Sequence, residues 1–290
     1  MQPFDKLWDY NNPAETEARF RSLLSEYPES KDKGAYLQLL TQLARTYSLR
    51  RLFTEAHDLL NEVKEKLGIN SGVEHIRYHL ERGRTFNSSG KKDEAKAEFE
   101  IAKQLAVELK EDFYAIDAIH MLAIVAPPLE SIELNKEGVL KAEQSTQERA
   151  KDWLGSLYNN LGWGYFDLGQ YELALSIFLR ALKWRQDMAA RQGKETTPAV
   201  FIAKWTVART LRALNRIDDA IKVQLGLMEE MVKGEAADGY VYEELGELYL
   251  LKGEEIHKMY FQFAYNELSK DSWFAANETA RLNRMKGLAG

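Results

Sequence analysis

Tyr158-Asn-Asn-Leu-Gly-Trp-Gly-Tyr-Phe-Asp-Leu-Gly-Gln-Tyr-Glu-Leu-Ala-Leu-Ser-Ile-Phe-Leu-Arg-Ala181 is the stretch that decides the fold. Tyr158, Leu161, Gly162 and Tyr165 are spaced three, one and three apart, which sets them on one face of a helix. Leu168-Gly169-Gln170 interrupts that pattern, and Ala174, Phe178 and Ala181 resume it at spacings of four and three. Two helices joined by a glycine turn, with Gly162, Ala174 and Ala181 where backbones must come close, describe an antiparallel helical hairpin.

The same slots recur along the chain. Leu40, Leu43, Ala44 and Tyr47 with Ala56, Leu60 and Val63 form an earlier copy, and Gly83, Phe86, Gly90, Ala95, Phe99 and Ala102 form the next. Ile119, Leu122, Ala123, Val139 and Ala142 make a degenerate copy; Val207, Ala208, Leu211 and Ala220, then Tyr242, Leu245, Gly246, Tyr249, Gly253, Phe261 and Ala264, complete the set. The small residue of each first helix falls at 44, 83, 123, 162, 208 and 246, giving intervals of 39, 40, 39, 46 and 38. This spacing of large, small and aromatic residues resembles the tetratricopeptide repeat, whose shortest form is about 34 residues long, so each helix should be slightly longer than in a minimal array.

The resemblance implies an all-α, right-handed superhelical solenoid of about six hairpins over residues 31–270, with capping elements at 1–30 and 271–290 and no linker between domains. Upstream, Thr16, Phe20, Leu23 and Pro28 match only the second helix of a repeat. Downstream, Asp271-Ser272 reads as the cap of one final helix. Pro127-Pro128 replaces the glycine turn of the degenerate copy and should end a helix near Ala126. In the longest interval, Arg191-Gln-Gly-Lys-Glu-Thr-Thr-Pro198 reads as a loop in which Thr197 caps and Pro198 opens the next helix.

Composition removes several function classes. With 39 Lys and Arg against 45 Asp and Glu, the net charge of −6 argues against a general nucleic-acid binder. A hydrophobic share of 45% argues against disorder. The absence of cysteine excludes disulfides and thiolate chemistry and suits a reducing, cytoplasmic setting. MQPFDKLWDYNNP has no signal-peptide pattern, and Asp117, His120, Pro127 and Pro128 break the most apolar stretch, so neither export nor membrane insertion is expected.

No catalytic or cofactor signature emerges. His75 and His79 stand four apart, but no third ligand or HExxH pattern accompanies them, so no metal site is expected. Gly193-Lys194 lacks the upstream glycine of a phosphate loop, because Met188 stands there, and Gly162, Gly164 and Gly169 follow no strand. The chain is therefore expected to be no enzyme and to need no cofactor.

In an array of hairpins the first helices line the concave side. The slots beside their packing positions hold Arg45, Arg77, Arg84, Arg209 and Arg212 against one acid, Asp117, until Glu243 and Glu247 reverse the sign in the last repeat. Among them lie His120, Asn159, Trp163, Phe166 and Trp205. Arg forks onto carboxylates, an Asn amide both donates to and accepts from a peptide backbone, and Trp gives large contact area with one polar atom. Proteins with this repeat commonly clamp a partner's peptide in the groove, so Arg45, Arg77, Arg84, His120, Asn159, Trp163, Trp205, Arg209 and Arg212 are the expected contacts of an extended, acidic segment of another protein.

Three alternatives stand beside that expectation. Arg45 and Arg84 pair with neighbouring glutamates, Trp163 and Phe166 pack on the preceding repeat, or Asn159 makes an internal hydrogen bond. The full Lys and Asn pattern of the family's chaperone-tail clamp is missing, which argues against that ligand. The rival functions are sensing of a small anion such as a phosphate or nucleotide by the same arginines, and self-assembly through the tail of Tyr260, Phe261, Phe263, Tyr265, Trp273 and Phe274.

Overall fold

Apolar residues recurring at helical spacing bury one stripe per helix, and antiparallel pairing of consecutive helices covers that stripe. The computed structural model describes residues 2–70, 72–234 and 237–290, and among them every regular element is a helix. None of these helices is long and apolar enough to cross a membrane. Tertiary packing divides the chain into two units, Met1–Leu157 and Tyr158–Gly290.

In the first unit a 3₁₀ turn (Pro3–Leu7) and α1 (Pro13–Ser22) precede three hairpins. These are α2 (Lys33–Leu49) with α3 (Phe53–Lys66), α4 (Val73–Ser88) with α5 (Lys92–Glu108), and α6 (Asp112–Val125) with α7 (Pro128–Gln144). A one-turn helix, α8 (Glu148–Lys151), follows. The boundary between units lies inside α9 (Leu154–Asp167), which pairs in sequence with α10 (Tyr171–Arg191). The second unit continues with α11 (Pro198–Ala213) and α12 (Ile217–Lys233), then α13 (Gly239–Leu251) and α14 (His257–Leu268). All six hairpins fall where the repeat pattern sets them.

The small-residue slot has a steric cause. A methyl group added at Gly162 would meet the Phe178 ring at 2.4 Å, and one at Gly83 would meet Phe99 at 2.4 Å. Phe99 and Phe178 are fully buried, so each contributes about 2–3 kcal/mol of apolar burial while lying against its hairpin partner's backbone.

The turns repeat as well. Seven residues after the small residue, Arg51, Gly90, Gly169, Asn215 and Gly253 all have positive φ, between 58° and 85°. At Gly169 the amide donates to the Phe166 carbonyl at 2.9 Å while Gln170 N–H donates to Tyr165 O at 2.9 Å, the double closure that ends a helix on a left-handed residue. Pro127-Pro128 replaces that device: α6 stops at Val125 and Pro128 opens α7. Thr197 caps α11 by accepting from Val200 N–H at 3.3 Å.

The C-terminal cap differs from the single helix expected. Asp271 does cap a helix, accepting from Trp273 and Phe274 N–H at 2.8 and 3.0 Å, but that helix, α15 (Ser272–Asn277), breaks at Glu278. A second one, α16 (Thr279–Ala289), follows and buries Leu282 and Met285 with Phe261 and Phe274. The break lets both short helices face the same apolar cluster.

Arg51 occupies, at φ 64°, a conformation that costs an L residue about 1 kcal/mol. Arg51→Gly should raise the unfolding free energy by about 1 kcal/mol, whereas Gly162→Ala, driven into Phe178, should lower stability by about 1–3 kcal/mol. Equilibrium unfolding followed by circular dichroism checks both.

Candidate functional site

Each unit has its own polar cavity, lined from the first helices of its hairpins. In the first unit Arg45 projects from α2, Arg77 and Arg84 from α4, and Asp117 from α6. The arginines meet carboxylates of their own chain. Arg45 lies 3.1 Å from Glu81, and Arg84 lies 2.8 Å from Glu81 while also pairing with Asp117. Arg77 holds Asp5 of the 3₁₀ turn with two bonds, at 2.7 and 3.2 Å. Glu81, Asp117, Arg77 and Asp5 each keep less than a tenth of their side-chain surface exposed, so these pairs are interior ones. Burial opposes ionisation of Glu81, yet Arg84 and Arg45 hold its carboxylate below the ordinary range. Burial likewise opposes the Arg84 charge, and Asp117 and Glu81 raise its pKa regardless.

Aromatic rings frame this network. Trp8 donates its indole N–H to Gln42 at 2.9 Å, and Arg45 lies over the Trp8 and Tyr10 rings at 6.0 and 5.6 Å. The cavity they frame is open to solvent and measures about 150 Å³. Its wall carries four arginines, Arg45, Arg77, Arg84 and Arg149, against three carboxylates, Asp5, Glu81 and Asp117. The excess cation is Arg149. It comes from α8, stacks 3.5 Å above the centre of Phe113 and, among the described residues, makes no ion pair. Sequence reasoning missed it because α8 lies outside the repeat slots; the signal present was Arg149 four residues before Trp153, one helical turn apart.

His120 is half-buried, with its ring 5.1 Å from Trp153. Burial lowers its pKa, which favours the neutral imidazole near pH 7. His75 and His79 do not converge on one ion: His75 Nδ1 accepts from Gly72 N–H at 3.2 Å, while His79 Nδ1 lies 2.6 Å from Glu98. No group of three metal-ligating side chains occurs among the described residues.

In the second unit Trp163, Trp205, Arg209 and Arg212 line one pocket of about 600 Å³. Trp163 packs on Phe178 of its own hairpin at 5.2 Å, on Phe166 at 5.1 Å and towards Trp205 at 6.5 Å, so its own repeat's second helix is a packing partner. Asn159 is half-buried near the start of this unit. Arg212 forks onto Glu244 at 2.5 and 3.1 Å. The acids of the last repeat are claimed from α16: Arg281 forks onto Glu243 at 2.5 and 2.7 Å, and Arg284 binds Glu247. In the aromatic tail Tyr260, Phe261 and Phe274 are buried, whereas Phe263 and Trp273 are exposed.

Stacked helical hairpins with polar, aromatic-lined cavities on their first helices define a helical-repeat protein. Residues 155–188 match the family described as Tetratricopeptide repeat. No curated protein matches its sequence. Among solved structures it is similar to the apo form of RapI, with 12% identity over 93% of this chain and 76% of that one, and a TM-score of 0.71. It is also similar to a signal-transduction ATPase with numerous domains carrying a tetratricopeptide repeat sensor, from Pyrococcus horikoshii, with 16% identity, 97% and 44% coverage and a TM-score of 0.72. A third similar structure is NprR in complex with its cognate peptide NprX, with 13% identity, 95% and 78% coverage and a TM-score of 0.51. Identities this low show a common fold.

Removing Arg84 strands the buried Asp117 carboxylate and leaves Glu81 with Arg45 alone, so Arg84→Ala should cost about 3 kcal/mol. Arg149→Ala loses only a ring contact, worth about 0.5–1 kcal/mol. Thermal and urea denaturation of the two variants, side by side, separate the structural arginine from the available one.

Proposed function

We propose that this chain is a noncatalytic binding module that holds an extended, acidic peptide segment of a partner protein. The observation that carries the reading is Arg149, a guanidinium stacked on Phe113 in a cavity where every carboxylate is already matched by another arginine. Arg149 makes no direct ion pair among the described residues, its nearest influence being the charge it exerts on Asp152, so it gains from an incoming carboxylate, onto which Arg forks with two parallel bonds. Trp8, Tyr10 and Phe113 supply ring faces for the neighbouring side chains of the segment. NprR, similar in fold, is described with a bound peptide, which agrees with this use of the repeat.

The neutralised arginines act differently under this reading. Arg45, Arg77 and Arg84 shape the cavity and pre-set its field, and Arg149 makes the new ion pair. His120, Asn159, Trp163, Trp205, Arg209 and Arg212 remain proposed contacts. The cytoplasm, where a chain without cysteine needs no redox protection, is the proposed setting.

Peptide arrays probed with the intact protein test the reading. Arg149→Glu should weaken retention on acid-bearing peptides by about tenfold or more while the melting temperature stays within about 2 °C of the parent, because no structural pair is broken. Undiminished retention, or equal inhibition of the parent protein's retention by inorganic phosphate and by acidic peptide, would count against a peptide ligand and favour a small anion.

A further inference from the structure

The second unit holds two unused features one helical turn apart on α11. One is an apolar cleft of about 220 Å³ bounded by Phe201, Ile202, Trp205, Asp238 and Tyr240. Ile202 is 52% exposed and Tyr240 40%, so solvent reaches large apolar surfaces that a monomer would ordinarily shield. The Trp205 indole N–H donates to the Tyr240 carbonyl at 3.2 Å, which fixes the ring as a wall of the cleft.

The other feature is Arg209, four residues beyond Trp205. Its ion-pair partner is Glu244 at 3.8 Å, and that carboxylate already gives both oxygens to Arg212. Glu243 and Glu247 are engaged by Arg281 and Arg284. Burial lowers the pKa of Arg209 and the neighbouring Arg212 lowers it further, against the raising effect of Glu244, Glu247 and Glu243. Phe166 supports the guanidinium at 5.3 Å. Trp205 lines both the apolar cleft and the pocket that contains Arg209, so one ligand passing the indole reaches both.

Side chains four apart on a helix have Cβ atoms about 6 Å from each other. In an extended peptide, residues two apart point the same way and are separated by about 7 Å. We propose that the second unit reads a short signature in its ligand: a large aliphatic or aromatic side chain seated against Trp205 in the apolar cleft, and an Asp or Glu two residues away whose carboxylate pairs with Arg209. This selectivity rests on the peptide-binding reading and adds to it a second recognition point, independent of Arg149. The apolar residue supplies burial and the acid supplies register. Neither alone satisfies both features.

Nuclear magnetic resonance of the full ¹⁵N-labelled chain tests this, with the Trp205 indole signal assigned through Trp205→Phe. The probes are the blocked tripeptides Leu-Ala-Asp, Leu-Ala-Asn and Ala-Ala-Asp, and inorganic phosphate. Leu-Ala-Asp should shift the Trp205 signal to saturation, with the other two peptides at least about fivefold weaker. Arg209→Gln should reduce the Leu-Ala-Asp response to that of Leu-Ala-Asn without changing the melting temperature. An unmoved Trp205 signal, equal responses to Leu-Ala-Asp and Leu-Ala-Asn, or the same shift with phosphate alone would each overturn the proposal. If Leu-Ala-Asp instead moves signals only in the first unit, and Arg149→Glu abolishes them, this signature falls while peptide binding itself stands.

Discussion

A phenyl ring lying against a bare α-carbon is the contact on which the α4–α5 and α9–α10 hairpins depend, and Gly246 meets Phe261 in the same way in α13–α14. Where Phe178 meets Gly162 and Phe99 meets Gly83, there is no room for one further carbon, so the two helices sit as near as backbones allow. That closeness leaves the remaining first-helix faces short of apolar neighbours. They carry arginine, carboxylate and indole instead, and those groups make the cavities. The core geometry thus creates the polar face as its remainder.

The polar face is mostly internally matched. Arg45, Glu81, Arg84 and Asp117 alternate in sign from α2 through α4 to α6, so charge is handed between hairpins as well as within them. Interior pairs of this kind offer little net stability over apolar packing, but each partner depends on the other being present. Under the proposed reading, an outside carboxylate is met where that matching is weakest, at Arg149 in one unit and Arg209 in the other.

Architecture was legible because it rests on local repetition. The small residue recurs in every copy and the left-handed turn residue follows seven places later in five of the six, and Thr197 and Asp271 signal their caps in the letters themselves. The candidate site was legible only in part. Arg77 and Arg84 stood out as a one-sided basic bias, since their counter-ions, Asp5 and Asp117, come from distant segments that no spacing rule connects. Arg149 was invisible for the opposite reason: it occupies no repeat slot. The break at Glu278 escaped because two short helices and one longer one share the same apolar period.

The single-turn helix α8 has a consequence for how a ligand could be oriented. A strictly periodic array offers the same environment at every step, so a bound strand could slide by one unit and meet equivalent surroundings. An interruption that contributes one unmatched guanidinium abolishes that translational equivalence. Under the proposed reading, it would give a docked chain a marked origin, from which direction and frame are counted.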